Sequence, residues 1–207
     1  MSLSQTEEPL DMDTKLIQGT SPRKHVLDLD DFSKDEILEV LESSRSMKEV
    51  LGRDIKKVPA LRGKVVVTLF YDASTRTRIS FEEAGKVLSA DVINMSASGS
   101  STEKGESLLN TGLTIQAMGV DTIVIRHPHS GAPHLLAQQL DRVSVINAGD
   151  GLHAHPTQAL LDLYTVQDKL GRNPACCRSC CRRKAMTTSA SSIALSKSVS
   201  TFTKDAK

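Results

Sequence analysis

The chain is expected to fold as an α/β domain, a parallel sheet flanked by helices, followed by a disordered C-terminal tail. Three observations lead there. Four short runs rich in β-branched and apolar residues recur between residues 64 and 148. The stretches between them repeat apolar residues at helical spacing, and strands alternating with helices at this interval give a parallel sheet covered on both sides. After Gly171 the periodicity stops and the composition changes.

The elements follow in chain order. "DFSKDEILEVLESSRSMKEVL" reads as a helix, because Ser33 with Glu36 three residues on is a capping box. Ile37, Val40, Leu41, Ser44 and Leu51 then mark one face. Pro59 and Gly63 punctuate a turn before "KVVVTLFY", a buried strand. Phe81, Ala84 and Leu88 form the next helical stripe, and "ADVINMS" is a second strand. Leu108, Gly112 and Ile115 line a helix that leads to "DTIVIRH", the third strand. "APHLLAQQL" is a short helix and "RVSVINA" a fourth strand. Ala159, Leu163, Val166 and Leu170 mark the last helical face.

Residues 25–171 are therefore assigned to one domain, with residues 1–24 a disordered arm and residues 172–207 a disordered tail. The tail carries eight Lys and Arg against one Asp and much Ser and Thr, too little apolar surface to offset the entropy of ordering. A net charge of +1 gives no bulk attraction to nucleic acid or to an anionic membrane. Aromatics at 3%, with no Trp, are few for stacking on bases. No apolar run nears the ~20 residues that cross a bilayer, and the acidic start "MSLSQTEEPLDMD" lacks the order of a signal peptide. All four cysteines fall in "CCRSCC", so the first 175 residues use no disulfide, as expected of a cytoplasmic protein.

Every polar cluster sits at the carboxyl end of a strand, where such sheets bind ligands. Ser74, Thr75, Arg76 and Thr77 follow the first strand and open a helix. Exposed N–H groups, the positive end of the helix dipole, hydroxyl donors and a guanidinium make an anion site there. The ordinary alternative is an N-cap followed by surface arginines. "SGSSTEKGES" after the second strand is, by itself, a solvated loop that presents Lys104. Arg126 ends the third strand and either pairs with a carboxylate or faces a cleft. His155 and Gln158 open the last helix three residues apart and can share a side, although a histidine there commonly caps or packs. Together these strand ends suit a small, doubly charged phosphate compound handled without metal or cofactor. The sequence contains no Ser-His-Asp order, His/Cys metal spacing, "GxGxxG" or "GxxxxGK[ST]".

"STRTR", "SSTEKGES", "IRHP" and "HPTQALLDLYT", in that order and separation, resemble the transcarbamoylases, and among them the aspartate carbamoyltransferases. The resemblance covers about residues 25–171 and implies the carbamoyl phosphate-binding domain of that family. It implies transfer of the carbamoyl group from carbamoyl phosphate to L-aspartate, an early step of pyrimidine biosynthesis. By similarity Ser74, Thr75, Arg76 and Thr77 hold the phosphate, and Ser100 and Lys104 reach it from a neighbouring subunit of a homotrimer. Thr77, Arg126 and His155 would contact the carbonyl oxygen and Gln158 the carbamoyl amide, these four being the catalytic set.

Two departures accompany the likeness. Asp72 stands where the family usually has Glu. Family-like sequence also stops near Gly171, before the second domain in which the family binds aspartate, so a shifted frame, an altered splice or a truncated product is expected. A tail that binds metal through "CCRSCC" is the weaker rival, since adjacent cysteines without a second knuckle or histidine match zinc spacing poorly. A chain of this kind is expected to be inactive alone. The alternatives are a non-catalytic fragment that binds carbamoyl phosphate or joins trimers of a complete homologue, and a transcarbamoylase for another amine such as ornithine.

Overall fold

Residues 23–96 and 107–171 are described by the structure, a computed structural model. Helix α1 (Lys34–Leu51) leads through a 3-10 turn (Pro59–Leu61) to β1 (Val65–Phe70), α2 (Thr75–Val87) and β2 (Asp91–Ser96). Then come α3 (Leu108–Ala117), β3 (Thr122–His127), α4 (Ala132–Gln139), β4 (Ser144–Asp150) and α5 (Pro156–Leu170). Both halves of the α1 capping box form: Ser33 Oγ accepts from Glu36 N and the Glu36 carboxylate accepts from Ser33 N.

The four strands are parallel in the order β2-β1-β3-β4. Val66 to Phe70 are all buried, as befits a strand covered on both faces. One face packs Val67, Leu69, Ile123, Ile125, Val143 and Val145 against Ile115 of α3 and Leu136 of α4. The other gathers Val66, Phe70, Val124 and Ala148, with Phe81 of α2 against them. The crossover from β1 to β2 thus uses one face and the crossovers from β2 to β3 to β4 the other. This reversal of direction places the topological switch between β1 and β3, the usual location of a ligand crevice in such sheets.

Backbone beyond the periodic elements closes the β4 edge. Val26 bridges Ile146, donating to Val145 O at 2.9 Å and accepting from Asn147 N at 2.8 Å. Two apolar faces differ from the sequence reading. On α2 it is Gly85, not Ala84, that is buried, because a Cβ at residue 85 would stand 2.5 Å from Val92 Cγ2 of β2. At the end of α1, Val50 is fully buried and Leu51 is 45% exposed, so the last turn is enclosed away from the Leu41 stripe.

Close approach also governs the contact between α3 and α4. A Cβ on Gly112 would lie 2.7 Å from Leu136 Cδ2 and 3.6 Å from Leu140 Cδ1, and both leucines are at most 1% exposed. Gly112→Val is therefore expected to overpack the core and cost about 1–3 kcal/mol. The check is a lowered urea midpoint at unchanged slope. An unshifted midpoint would mean that the helices part without penalty.

Candidate active site

The carboxyl ends of β1, β3 and β4 meet around a register shift. Ile125 pairs with Asn147 but His127 pairs with Asp150, so β4 carries one more residue than β3 in this interval. Ala148 and Gly149 lie opposite Arg126, an arrangement that bends a strand and re-aims side chains. Gly149 adopts φ +117°, which L side chains rarely take, and a Cβ there would meet Arg126 Nη1 at 2.5 Å and His155 Cδ2 at 3.3 Å. The bare glycine is what lets Arg126 and His155 close over the same point of backbone.

Arg126 is 17% exposed and does pair with a carboxylate. Its Nε donates to Asp72 Oδ2 at 3.1 Å, its Nη2 lies 3.0 Å from the same oxygen as an ion pair, and its Nη1 donates to Ala148 O at 3.0 Å. Asp72, remarked in the sequence only as a departure, is thus the group that holds the guanidinium at the strand end. Its side chain is 46% exposed, so the pair opens to solvent on the carboxylate side.

His155 is the N-cap of α5, and its Nδ1 accepts from Gln158 N at 3.3 Å, with Thr157 Oγ1 at 3.2 Å. An accepting Nδ1 puts the ring proton on Nε2. Burial, with the Arg126 charge adding, pushes the imidazole down to about 4. His155 is consequently a neutral N–H donor beside a fixed cation.

The sign of that shift makes a test. As pH falls from the ordinary 6.5 toward about 4, the unfolded chain takes the proton and the folded chain resists it. Stability contributed by His155 is complete above about pH 6.5 and lost as pH falls toward 4. His155→Asn keeps a capping side chain and is expected to flatten this stretch of the stability profile. Urea midpoints between pH 7 and pH 4 provide the comparison, and equal slopes would disprove the assignment.

Ser74 occupies the N-cap position of α2 without a side-chain cap bond. Its hydroxyl instead donates to Thr77 Oγ1 at 2.9 Å. Thr75 and Arg76 are exposed on the first turn. The pairs Ser74–Thr77 and Arg126–His155 are therefore brought together at the ends of neighbouring strands. Gln158 is linked to His155 through its backbone, while its side-chain amide donates to Asp162 Oδ1 at 3.0 Å. Ser100 and Lys104 lie outside the described residues.

Sequence reading passed over the groups that shape the turn beneath His155. Asp150 is fully buried and accepts from Gly131 N at 2.8 Å, Asn147 Nδ2 at 2.9 Å and Ala154 N at 3.0 Å. Asn147, also buried, accepts from Gly149 N at 2.8 Å and donates to Leu27 O at 2.8 Å. The available signal was "NAGDG", two polar side chains set among glycines at a strand end.

Comparison with known proteins agrees with this architecture. Residues 24–168 match the family model for the aspartate/ornithine carbamoyltransferase carbamoyl-P binding domain. The aspartate carbamoyltransferase catalytic subunit of Roseiflexus castenholzii is 67% identical over 150 residues, covering 72% of this chain and 47% of that protein. Its counterpart from Chloroflexus aurantiacus is 62% identical over 153 residues, covering 74% and 49%. The chain thus spans about half the length of the curated relatives it matches. Among solved structures, the catalytic subunit of M. jannaschii aspartate transcarbamoylase aligns with a TM-score of 0.66 at 46% identity, covering 72% of this chain and 48% of that one. Trypanosoma cruzi aspartate transcarbamoylase, solved with carbamoyl aspartate and phosphate, aligns with a TM-score of 0.67 at 32% identity and the same coverage. With a parallel sheet switching direction between β1 and β3 and the matched family motif spanning it, the chain belongs to the aspartate/ornithine carbamoyltransferase family through its carbamoyl phosphate-binding domain.

Proposed function

We propose that this domain binds carbamoyl phosphate and forms the carbamoyl half of an aspartate carbamoyltransferase site. The observation that carries the reading is the closure of Arg126 and a neutral His155 over Gly149, beside a helix start whose Ser74 hydroxyl leaves the cap unmade. The first turn of α2, with Ser74, Thr75, Arg76 and Thr77, takes the phosphate. Arg126, Thr77 and the Nε2–H of His155 take the carbonyl oxygen, and Gln158 the carbamoyl amide once its side chain turns from Asp162.

In the reaction the amine nitrogen of L-aspartate bonds to the carbonyl carbon and gives up a proton to the departing phosphate. The bond between that carbon and the bridging oxygen breaks, and inorganic phosphate leaves with the electron pair. Charge gathers on the carbonyl oxygen and on the phosphate, and donors already fixed toward both lower the barrier without reorganising. A histidine held neutral donates to the oxygen and cannot lose much of its own hydrogen-bonding strength to water, since it is largely buried.

L-Aspartate as acceptor is supported by the names of the relatives, which are aspartate rather than ornithine enzymes. We place Ser100 and Lys104 of an adjacent subunit at the same phosphate, in a homotrimer with shared sites. No helix among the described residues is long and apolar enough to cross a membrane, and a cytoplasmic setting accords with a cysteine-free domain.

Calorimetric titration of the chain with carbamoyl phosphate, beside sulfate at matched ionic strength, tests the reading. Saturable heat with carbamoyl phosphate alone is expected, and Arg76→Ala should weaken it at least ~10-fold, because hydrogen bonds to charged groups are worth about 1.5–3 kcal/mol. Heats no larger than those of sulfate would remove the proposal.

A further inference from the structure

We propose that His134, Asp150 and His153 bind one divalent transition-metal ion of the zinc class, where α4 meets the turn between β4 and α5. One ligand atom from each of the three lies within 4.8 Å of the other two. His153 Nδ1 stands 3.1 Å from Asp150 Oδ2 and 3.2 Å from Oδ1. The Asp150 carboxylate is already oriented by the backbone N–H groups of Gly131 and Ala154 and by Asn147. A ligand fixed in this way pays little to be ordered when an ion arrives.

His134 supplies the second, independent sign. Its Nε2 lies 3.4 Å from Asp28 Oδ2, an ion-pair distance, which leaves Nδ1 as the nitrogen available to an ion. His134 Nδ1 is buried and, among the described residues, has no hydrogen-bond partner. A buried acceptor left in that condition costs free energy. A carboxylate on the far nitrogen is also how metal-bound histidines are characteristically held.

The donor set decides the class of ion. Two imidazoles and one carboxylate suit zinc and its transition-metal neighbours, whereas magnesium and calcium want oxygen throughout. Metal bonds of about 2.0–2.1 Å require the ligand atoms to close to roughly 3.4 Å apart. His153 is 42% exposed and His134 34%, so both rings have room to turn and an ion has a way in. Three protein ligands leave a fourth position to water. The bound ion ties α4 to the turn that ends in His155, two residues past His153. Sequence spacing hid the cluster because the ligands come from separate elements.

The experiment uses the full chain with Cys176, Cys177, Cys180 and Cys181 all changed to serine, so that tail thiolates take no metal. Zinc and cobalt(II) chlorides are titrated by calorimetry and by cobalt absorption, with magnesium chloride as the comparison. One zinc per chain is expected, with no magnesium binding. His134→Ala and His153→Gln should each weaken zinc at least ~10-fold, and Asp28→Asn by about 10–100-fold. His153 is exposed, so His153→Gln leaves the core intact, and circular dichroism verifies the fold. Zinc binding no stronger than magnesium, or unchanged affinity in His153→Gln, overturns the proposal.

Discussion

On the proposed reading, Arg126→Ala in this domain joined to the aspartate-binding half of a complete relative is expected to slow carbamoyl transfer by about 10²–10³-fold while changing carbamoyl phosphate affinity far less. The magnitude is that of removing one preorganised donor to an oxygen that becomes charged only during reaction. The proposed role needs a fixed guanidinium. Asp72 holds two of its nitrogens, Ala148 O holds the third, and the whole group is pinned over a glycine that admits no side chain. Ground-state phosphate binding is proposed to rest instead on the first turn of α2, so the two measurements separate. Initial rates of carbamoylaspartate formation at saturating substrate, measured on that joined protein with and without Arg126→Ala, are set beside the calorimetric Kd for carbamoyl phosphate. A comparable loss in both would make the arginine a phosphate anchor. The substitution also strips Asp72 of its partner, but that carboxylate is 46% exposed and water can replace the bonds, so unfolding does not masquerade as lost catalysis.

What the sequence revealed of this arrangement follows from how local each interaction is. β1 was legible because a strand buried on both faces must be an unbroken apolar run, and Val66 to Phe70 are all buried. The start of α1 was legible because a capping box is complete within four residues. Gly85 was not, since residues 84 and 85 both lie at helical spacing from Phe81, and only the nearness of Val92 decides between them. Arg126 left two readings open at the sequence level, and its partner Asp72 stands 54 positions away. Asp150 escaped notice altogether. A carboxylate at a strand end reads as exposed, and the donors that bury it come from the start of α4, from β4 itself and from the turn after it. The strap at Val26 has a single bridging residue and hence no periodicity to detect.

Asp150→Ala carries the largest expected cost in stability. It removes the common acceptor of Gly131 N, Asn147 Nδ2 and Ala154 N at a position with no exposure to water. Each buried donor left unpaired costs about 1–3 kcal/mol. Asn147 Nδ2 retains Leu27 O, so two backbone N–H groups bear most of the loss. A destabilisation of roughly 2–6 kcal/mol follows, against a total of about 5–15 kcal/mol for a domain of ordinary stability. The damage also has a direction. Gly131 begins α4, and Ala154 immediately precedes His155, so the carboxylate clamps the helix start to the turn that presents the imidazole. Asp150→Asn keeps one oxygen in place but sets an amide where two acceptors stood, and it is expected to lose less than the alanine variant. Hydrogen exchange at Gly131 and Ala154 distinguishes this account from general weakening of the core. Both amides should exchange faster in Asp150→Ala than the β1 amides do under the same conditions. Uniform acceleration across the sheet would show instead that the carboxylate merely adds to global stability and anchors nothing in particular.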